Sequence, residues 1–252
     1  YIQDRMITTE DVQDLFCKYI GTSETIKNTY FYFDSFTGFT PIQYRVIELL
    51  MKYAKEVVVT VTLPEDEINF KGYDRFELFS LSKETISKLR ELAIMNSINI
   101  YENKTLKLQN VIVRRLDLES DDQNLFDSEI NKISTYIQTH GANQIGPLIQ
   151  YSKVELDENN EPDINMQFML QANNFIHNVE QPYRMESLLR VKNCLYARYN
   201  GPDDKLKFAY DKLGVYAFEN DIELDGCNYT IYVDRNEEEE TMVADVFMPV
   251  KE

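Results

Sequence analysis

The chain has 252 residues, of which 43% are hydrophobic, and its formal net charge is −17. This composition excludes a disordered or fibrous protein, and the length is sufficient for one large hydrophobic core or two small ones. We expect two domains. The charge is concentrated in the second part, because the residues after Lys104 include 27 acidic and 14 basic side chains. Such a surface repels phosphate backbones and anionic membranes, so direct nucleic-acid or membrane binding by this part is not expected.

The cysteines and the apolar segments indicate a compartment. Cys17, Cys194 and Cys227 are far apart and show no paired spacing, which favours neither a disulfide framework nor a zinc site. No uninterrupted apolar segment approaches the about 18 residues that cross a bilayer. A cytoplasmic protein is therefore expected. Because the chain begins at Tyr1, within what looks like a domain, we also expect a fragment or a processed product.

The first part shows an alternation of helix and strand. An amphipathic helix is predicted for ITTEDVQDLFCKYI (7–20), and two strands for TYFYFD (29–34) and EVVVTVTL (56–63). Between the strands, TPIQYRVIELLMKYAKE (40–56) begins with a capping-box pattern, in which Thr40 caps and Gln43 closes the box. Strand, helix and strand together predict a βαβ unit, and Asp34 lies at the carboxyl end of its first strand, where ligands bind in open sheets.

These residues resemble a known family. YFYFDSFTGFTPIQYRVIELLMKYAKEVVVTVTL (30–63), followed by FELFSLSKETISKLRELA (76–93), is similar to the helicase-like N-terminal region of AddB-type subunits of bacterial ATP-dependent helicase-nucleases. The resemblance covers residues 1–103 and implies a P-loop helicase-like α/β fold, a role in DNA double-strand break repair and a helicase-nuclease partner subunit. Related helicases carry D-E-x-x-D-x-x-x-x-Q at this position, where Asp supports Mg²⁺ and Glu orients the attacking water.

The motif is degenerate in this chain. Asp34 and Gln43 are present, but Ser35 replaces the Glu and Gly38 replaces the second Asp. No G-x-x-x-x-G-K-[ST] phosphate loop occurs in the sequence. We therefore interpret Asp34 and Gln43 as a remnant of the motif, and we expect residues 1–104 to form an incomplete helicase-type domain without a nucleotide site.

The second part, residues 105–252, contains one element order twice. Strand, helix, strand and strand are predicted from KLQNVIVRRLDL (107–118) to INMQFMLQ (164–171), and again from SLLRVKNCLYARYNG (187–201) to TMVADVFMPV (241–250). Ile133 and Leu213, Tyr136 and Tyr216, and Gly146 and Gly226 match at a spacing of 80 residues. The pattern favours an internal duplication whose halves share an antiparallel sheet, with both helices on one face and a concave groove open on the other.

This half resembles the GyrI-like, or effector-binding, domain of MerR-type regulators. The resemblance lies in LYARYNGP (195–202), LKFAYDKLGVYAFENDIELDGCNYTIYVDRN (206–236) and TMVADVFMPV (241–250), and it implies an α+β fold that binds a small molecule. In drug-sensing members, aromatic rings stack on a lipophilic cation and an acid offsets its charge. The corresponding candidates in this chain are Tyr151, Tyr199, Tyr229, Thr230, Tyr232, Asp245 and Phe247. Thr230 stands where some sensors carry an acid, which leaves Asp245 as the candidate acid.

No catalytic constellation is evident. His140 and His177 have no ligand-spaced partner, and EEEE (237–240) lacks the alternating ligands and the Gly of a calcium loop. We predict no catalytic residue, no metal and no cofactor.

Three functions remain open. The first is a non-catalytic small-molecule or protein binding module fused to a truncated AddB-like region. The second is a piece of an AddB-type subunit that acts in DNA break processing, with the second domain as a structural insert. The third is an acidic protein-interaction module that binds a basic partner. No helix-turn-helix precedes the second domain, so regulation of transcription by this chain alone is not expected.

Overall fold

A computed structural model describes residues 9–116, 125–156 and 162–251. The chain divides into two compact units, Tyr1–Ser97 (unit 1) and Ile98–Glu252 (unit 2). The expected boundary after residue 104 falls inside a strand of unit 2, because that strand begins at Ile100. Among the described residues, no helix has both the length and the apolar character that crossing a lipid bilayer requires. The polar sequence DENNEPD (157–163) predicts a loop between two strands, and residues 157–161 of it lie outside the described residues.

The described part of unit 1, residues 9–97, contains four α-helices and two short strands. In chain order they are α1 (Thr9–Tyr19), α2 (Glu24–Lys27), β1 (Tyr30–Phe33), α3 (Pro41–Tyr53), β2 (Glu56–Val59) and α4 (Ser80–Ser97). β1 and β2 pair in parallel and are connected by α3, which gives a strand-helix-strand arrangement. A small core of Ile20, Ile26 and Leu50 holds α3 against the strands.

The start of α3 follows from its sequence. Gln43 N donates to Thr40 Oγ1 at 3.4 Å, and Thr40 N donates to Gln43 Oε1 at 2.8 Å, so the capping box is formed in both directions. Pro41 occupies the first turn, where its missing N–H is not needed. The side chain of Gln43 therefore caps the amino-terminal end of α3.

A buried lysine fixes the long connection before α4. The side chain of Lys83 is only 7% exposed, and its Nζ atom lies 2.7 Å from Glu67 Oε2 and 2.5 Å from Glu77 Oε2. These hydrogen bonds raise the pKa of Lys83, so its ammonium group stays charged. Because both carboxylates precede α4 in the chain, Lys83 ties this connection to the helix.

Unit 2 has the predicted order of strand, helix, strand and strand in each half. The first half comprises β3 (Ile100–Arg115), α5 (Leu125–Thr139), β4 (Gln144–Leu156) and β5 (Pro162–Ala172). The second half comprises β6 (Tyr183–Pro202), α6 (Lys207–Glu219), β7 (Cys227–Asn236) and β8 (Thr241–Pro249). All strand pairings described in unit 2 are antiparallel.

The sheet differs from the expected open form, because it closes on itself. Its six strands are ordered β3-β5-β4-β7-β8-β6, and β6 pairs again with β3. The halves therefore meet along two lines, β3 with β6 and β4 with β7. β3 and β6 are the longest strands of the sheet, and they pair with each other over residues that extend beyond their pairing with β5 and β8.

The two halves end their helices in the same way. Gly141 and Asp221, 80 residues apart, follow α5 and α6 with φ of +76° and +53°. In each half the N–H of the following residue donates a hydrogen bond to the carbonyl oxygen five residues earlier. Ala142 N donates to Ile137 O at 3.1 Å, and Ile222 N donates to Ala217 O at 2.8 Å. This is the bond that satisfies a free carbonyl group in a left-handed helix cap.

The halves differ in how the helix contacts the first strand. Between β3 and α5, Arg114 Nη2 donates to Glu129 Oε1 at 3.3 Å, and Glu129 is 5% exposed. Burial raises the pKa of Glu129, but hydrogen bonds from Arg114 and Lys132 outweigh burial and hold it below its usual range. In the second half the matching helix position is Ala209, which is fully buried. The same junction is thus polar in one half and apolar in the other.

Candidate functional site

The site lies on the inner face of the closed sheet, which we define as the face turned away from α5 and α6. Alternation along each strand separates the faces. Ile112, Phe168 and Leu170 contact the core beneath α5, whereas their neighbours Val111, Val113 and Met169 form a second cluster on the inner face. Tyr151, Tyr229, Ile231 and Phe247 pack against this second cluster.

Five aromatic side chains form a continuous row on the inner face. They stand at directly opposed register positions on five neighbouring strands, in the order Tyr101 on β3, Tyr196 on β6, Phe247 on β8, Tyr229 on β7 and Tyr151 on β4. We call this set the aromatic row. Directly opposed side chains on one face are close enough to interact, so strand register alone assembles the row.

Ring contacts are described for three neighbouring pairs of the aromatic row. The ring centroids are 5.8 Å apart for Tyr101 and Tyr196, 4.8 Å for Tyr196 and Phe247, and 5.0 Å for Tyr229 and Tyr151. These separations are those of favourable aromatic pairs. Tyr101 is 47% exposed and the other four rings are half-buried, so the row presents an apolar surface that solvent partly reaches.

An ion cluster adjoins the aromatic row. Asp245 Oδ1 accepts hydrogen bonds from Tyr196 Oη and Arg198 Nε, both at 2.7 Å, and Asp245 Oδ2 accepts from Arg198 Nη2 at 2.8 Å. The carboxylate is 13% exposed and the guanidinium-bearing side chain 56% exposed. A bidentate pair of this kind fixes the geometry of both groups.

This cluster changes the electrostatics of the inner face. Burial and the neighbouring Asp245 carboxylate raise the pKa of Tyr196 to about 12, so its hydroxyl stays protonated and donates. Arg198 neutralises Asp245, because the two opposite charges are in contact. The candidate acid is therefore already paired, and a ligand cation would have to compete with a guanidinium group.

The structure places four of the sequence-predicted ligand residues on the inner face. Tyr151, Tyr229 and Phe247 belong to the aromatic row, and Asp245 belongs to the adjoining cluster. Register brings them together from β4, β7 and β8.

The other three predicted residues face the opposite side of the sheet. Thr230 is fully buried and shares a hydrogen bond of 2.6 Å with Tyr210 of α6. Tyr232 donates to Gln150 Oε1 at 2.8 Å, from a position two residues beyond Thr230 on the same face. Tyr199 is fully buried, and its hydroxyl donates to Pro202 O at 2.6 Å. These three side chains therefore lie on the helix-facing side of the sheet and do not belong to the inner face.

Sequence reasoning does not select two members of the aromatic row. Tyr101 lies in the strand segment before the expected domain boundary. For Tyr196, alternation along the strand predicts only that its side chain lies on the face opposite to that of Tyr199. Alternation along β6 already groups Tyr196 with Arg198, which is a signal that could have found this residue. The register with β8 is needed to bring that pair to Asp245.

In unit 1, Asp34 and Gln43 have local structural partners. Asp34 is exposed at the end of β1 and accepts a hydrogen bond from Thr60 Oγ1, while Thr60 Oγ1 also accepts from Ser35 N at 3.3 Å. Ser35 has a positive φ of 63°, a conformation that few non-glycine residues adopt. Asp34 thus links the ends of β1 and the segment after β2, and Gln43 caps α3.

Solved structures with a partial likeness to this chain include the crystal structure of the EcmrR C-terminal domain. That structure aligns over 62% of this chain and 97% of its own chain, with 17% sequence identity and a TM-score of 0.46.

Comparison with curated proteins concerns the N-terminal region. The B-type subunit of the ATP-dependent helicase/deoxyribonuclease from Lachnoclostridium phytofermentans is 42% identical over 100 residues, which are 40% of this chain and 9% of the relative. The protein of the same name from Thermoanaerobacter sp. (strain X514) is 34% identical over 116 residues, which are 46% of this chain and 10% of the relative. The chain thus spans about a tenth of the length of the curated relatives that it matches.

A family model gives the limits of this similarity. Residues 1–120 match the model described as ADDB, N-terminal. The match runs past the end of unit 1 and includes β3, the first strand of the closed sheet. By sequence, residues 1–120 therefore resemble the N-terminal region of AddB-type helicase-nuclease subunits.

Proposed function

We propose that unit 2 is a non-catalytic binding module that takes a flat or multi-ring small molecule on the aromatic row. The observation that carries this proposal is the row itself, in which five adjacent rings share one face and keep part of their surface exposed. Small-molecule sites are mostly apolar and carry a few placed polar groups, as the aromatic row and the adjoining ion cluster do together.

The ion cluster makes the proposed site nearly indifferent to ligand charge. Because Arg198 neutralises the charge of Asp245, an aromatic ligand is stabilised by stacking on the rings but does not meet an unpaired carboxylate. A lipophilic cation would gain a partner only after Arg198 is displaced. We therefore expect aromatic shape, and not positive charge, to decide binding.

Two probes of nearly equal shape and opposite charge test this proposal. Tetraphenylphosphonium and tetraphenylborate should bind the full chain with affinities that differ by less than about tenfold, as measured by isothermal titration calorimetry. Tyr229→Ala should weaken both by about tenfold, because it removes a central ring of the row. Tyr19→Ala removes an exposed ring of unit 1 and serves as the matched control. Equal affinities in wild type and Tyr229→Ala would contradict the proposal.

The Arg198→Gln variant tests the electrostatic part separately. It leaves Asp245 with only the Tyr196 hydroxyl as a described partner, so tetraphenylphosphonium should bind about tenfold more tightly and tetraphenylborate more weakly. If neither affinity changes, Asp245 does not act on the ligand. In that case the aromatic row can still be the site, but its indifference to charge would need another cause.

A second candidate function is favoured by the match of residues 1–120. We infer that this region is a P-loop helicase-like segment of an AddB-type subunit, which lacks ATPase motifs and acts in DNA double-strand break repair with a helicase-nuclease partner subunit. This function predicts retention on immobilised single-stranded DNA at about 20 mM salt and release as salt is raised. An acidic chain that flows through at low salt, and that fails to co-purify with a helicase-nuclease partner, would remove this candidate.

A further inference from the structure

We propose that the ligand of the aromatic row carries a hydrogen-bond acceptor, such as a carbonyl oxygen, and that the Tyr229 hydroxyl group recognises it. This inference rests on the proposed function and names the class of ligand for the same site. The rings of the row supply apolar area, which any flat or multi-ring molecule of suitable size can cover. A single placed polar group adds selectivity to such a surface.

The half-buried tyrosines of the aromatic row differ in the partners of their hydroxyl groups. Tyr196 Oη donates to Asp245 Oδ1 at 2.7 Å, and the hydroxyl group of Tyr151 is hydrogen-bonded to Cys227. The hydroxyl group of Tyr229 has no hydrogen-bond partner among the described residues. Two of the three hydroxyl groups are therefore engaged within the protein, and that of Tyr229 is free to bind a ligand.

Tyr229 stands where a ligand on the row can reach it. In register its side chain lies between Phe247 and Tyr151, and not at either end of the row. Its ring centroid is 5.0 Å from that of Tyr151. Every buried side-chain nitrogen or oxygen atom in the described part of the chain has a hydrogen-bond partner, so the unpaired Tyr229 hydroxyl group is not fully enclosed.

The Tyr229 hydroxyl group stays protonated well above neutral pH. Burial raises the pKa of Tyr229 above its ordinary value of 10.0, and the nearby Cys227, Tyr151 and Cys194 raise it further. A neutral phenol hydroxyl group can donate its proton to an acceptor on a ligand. Donation to the ligand is therefore available over the whole pH range in which the protein would be studied near neutrality.

The free donor makes the row selective. A ligand that covers the row without offering an acceptor would separate this hydroxyl group from solvent and leave it unpaired, which is unfavourable. A ligand with a suitably placed carbonyl or ether oxygen avoids that cost. Binding sites that hydrogen-bond their ligand reject analogues lacking the bonding group for this reason.

Benzophenone and diphenylmethane test the inference, because they share two phenyl rings and differ in one carbonyl oxygen. Isothermal titration calorimetry with the full chain measures the preference, which is the affinity for benzophenone divided by the affinity for diphenylmethane. Tyr229→Phe keeps the ring and removes the hydroxyl group, so the preference should fall about fivefold. As the matched control, Tyr19→Phe removes the hydroxyl group of an exposed ring in unit 1 and should keep the wild-type preference.

The outcomes separate this inference from the proposed function. A preference that falls in Tyr229→Phe and not in Tyr19→Phe supports the inference. If both ligands bind but Tyr229→Phe keeps the wild-type preference, or Tyr19→Phe loses it equally, the Tyr229 hydroxyl group does not select the ligand, while the row still binds aromatic molecules. If neither ligand binds the wild type, the inference fails together with the proposed function.

Discussion

Single buried hydroxyl and thiol groups in unit 2 have pKa values that affect stability. Burial raises the pKa of Tyr199 to about 12, with Asp204 and Asp203 as further causes, and burial with Asp225 raises the pKa of Cys227 to about 11. Their ordinary values are 10.0 and 9.0. In each case the folded protein favours the neutral form, so its contribution is complete below the ordinary pKa and is lost as pH rises.

We therefore predict that the free energy of unfolding falls steadily between about pH 9 and pH 12. Urea unfolding followed by far-UV circular dichroism measures this dependence, which suits a chain without tryptophan. Tyr199→Phe removes one ionisable group and should make the decline above about pH 10 shallower. Tyr19→Phe changes an exposed tyrosine and should leave the slope as it is. An identical slope in all three proteins would disprove the role of Tyr199.

At the scale of residues, the candidate site shows what alternation can and cannot predict. Tyr229 and Thr230 are adjacent on one strand and so must point to opposite faces, which means that a set containing both could not line a single groove. Sequence alone does not say which of the two faces the helices cover. The hydrogen bond between Tyr210 of α6 and Thr230 settles this for β7.

At the scale of elements, local signals are sufficient for the helices and the element order. The capping box of α3 involves residues three apart, and the helix ends at Gly141 and Asp221 involve backbone bonds between residues five apart. Such short-range features depend on residues that are close together in the sequence, so the local sequence is sufficient to predict them. The twofold repetition of strand, helix, strand and strand is also visible, since it needs only the order of the elements.

The closure of the sheet depends on information of a different kind. β3 pairs with β6 from Ile100 with Ala197 to Arg114 with Tyr183, across residues that are far apart in sequence. Hydrophobic pattern fixes which face is buried but does not fix which strands are neighbours. The expected open groove and the observed closed sheet share every element. An open sheet common to both halves needs one pairing between them, and the closed sheet has two.

At the scale of the whole molecule, those two pairings predict that the halves of unit 2 stay together after the chain is cut. A protease site inserted after Asn178, an exposed residue with φ of +55°, interrupts the segment between β5 and β6 and breaks no strand pairing. Each half alone would leave the edges of β3 and β4, or of β6 and β7, without partners, and unpaired edges favour association. After cleavage, the pieces should elute together in size-exclusion chromatography and separate only in denaturant.

A variant cut at the same site with Ile149→Asp and Ile231→Asp, which places two acids opposite each other between β4 and β7, should separate more readily. Separation of the unmodified pieces in native buffer would show that the halves are held by the covalent connection and not by the closed sheet.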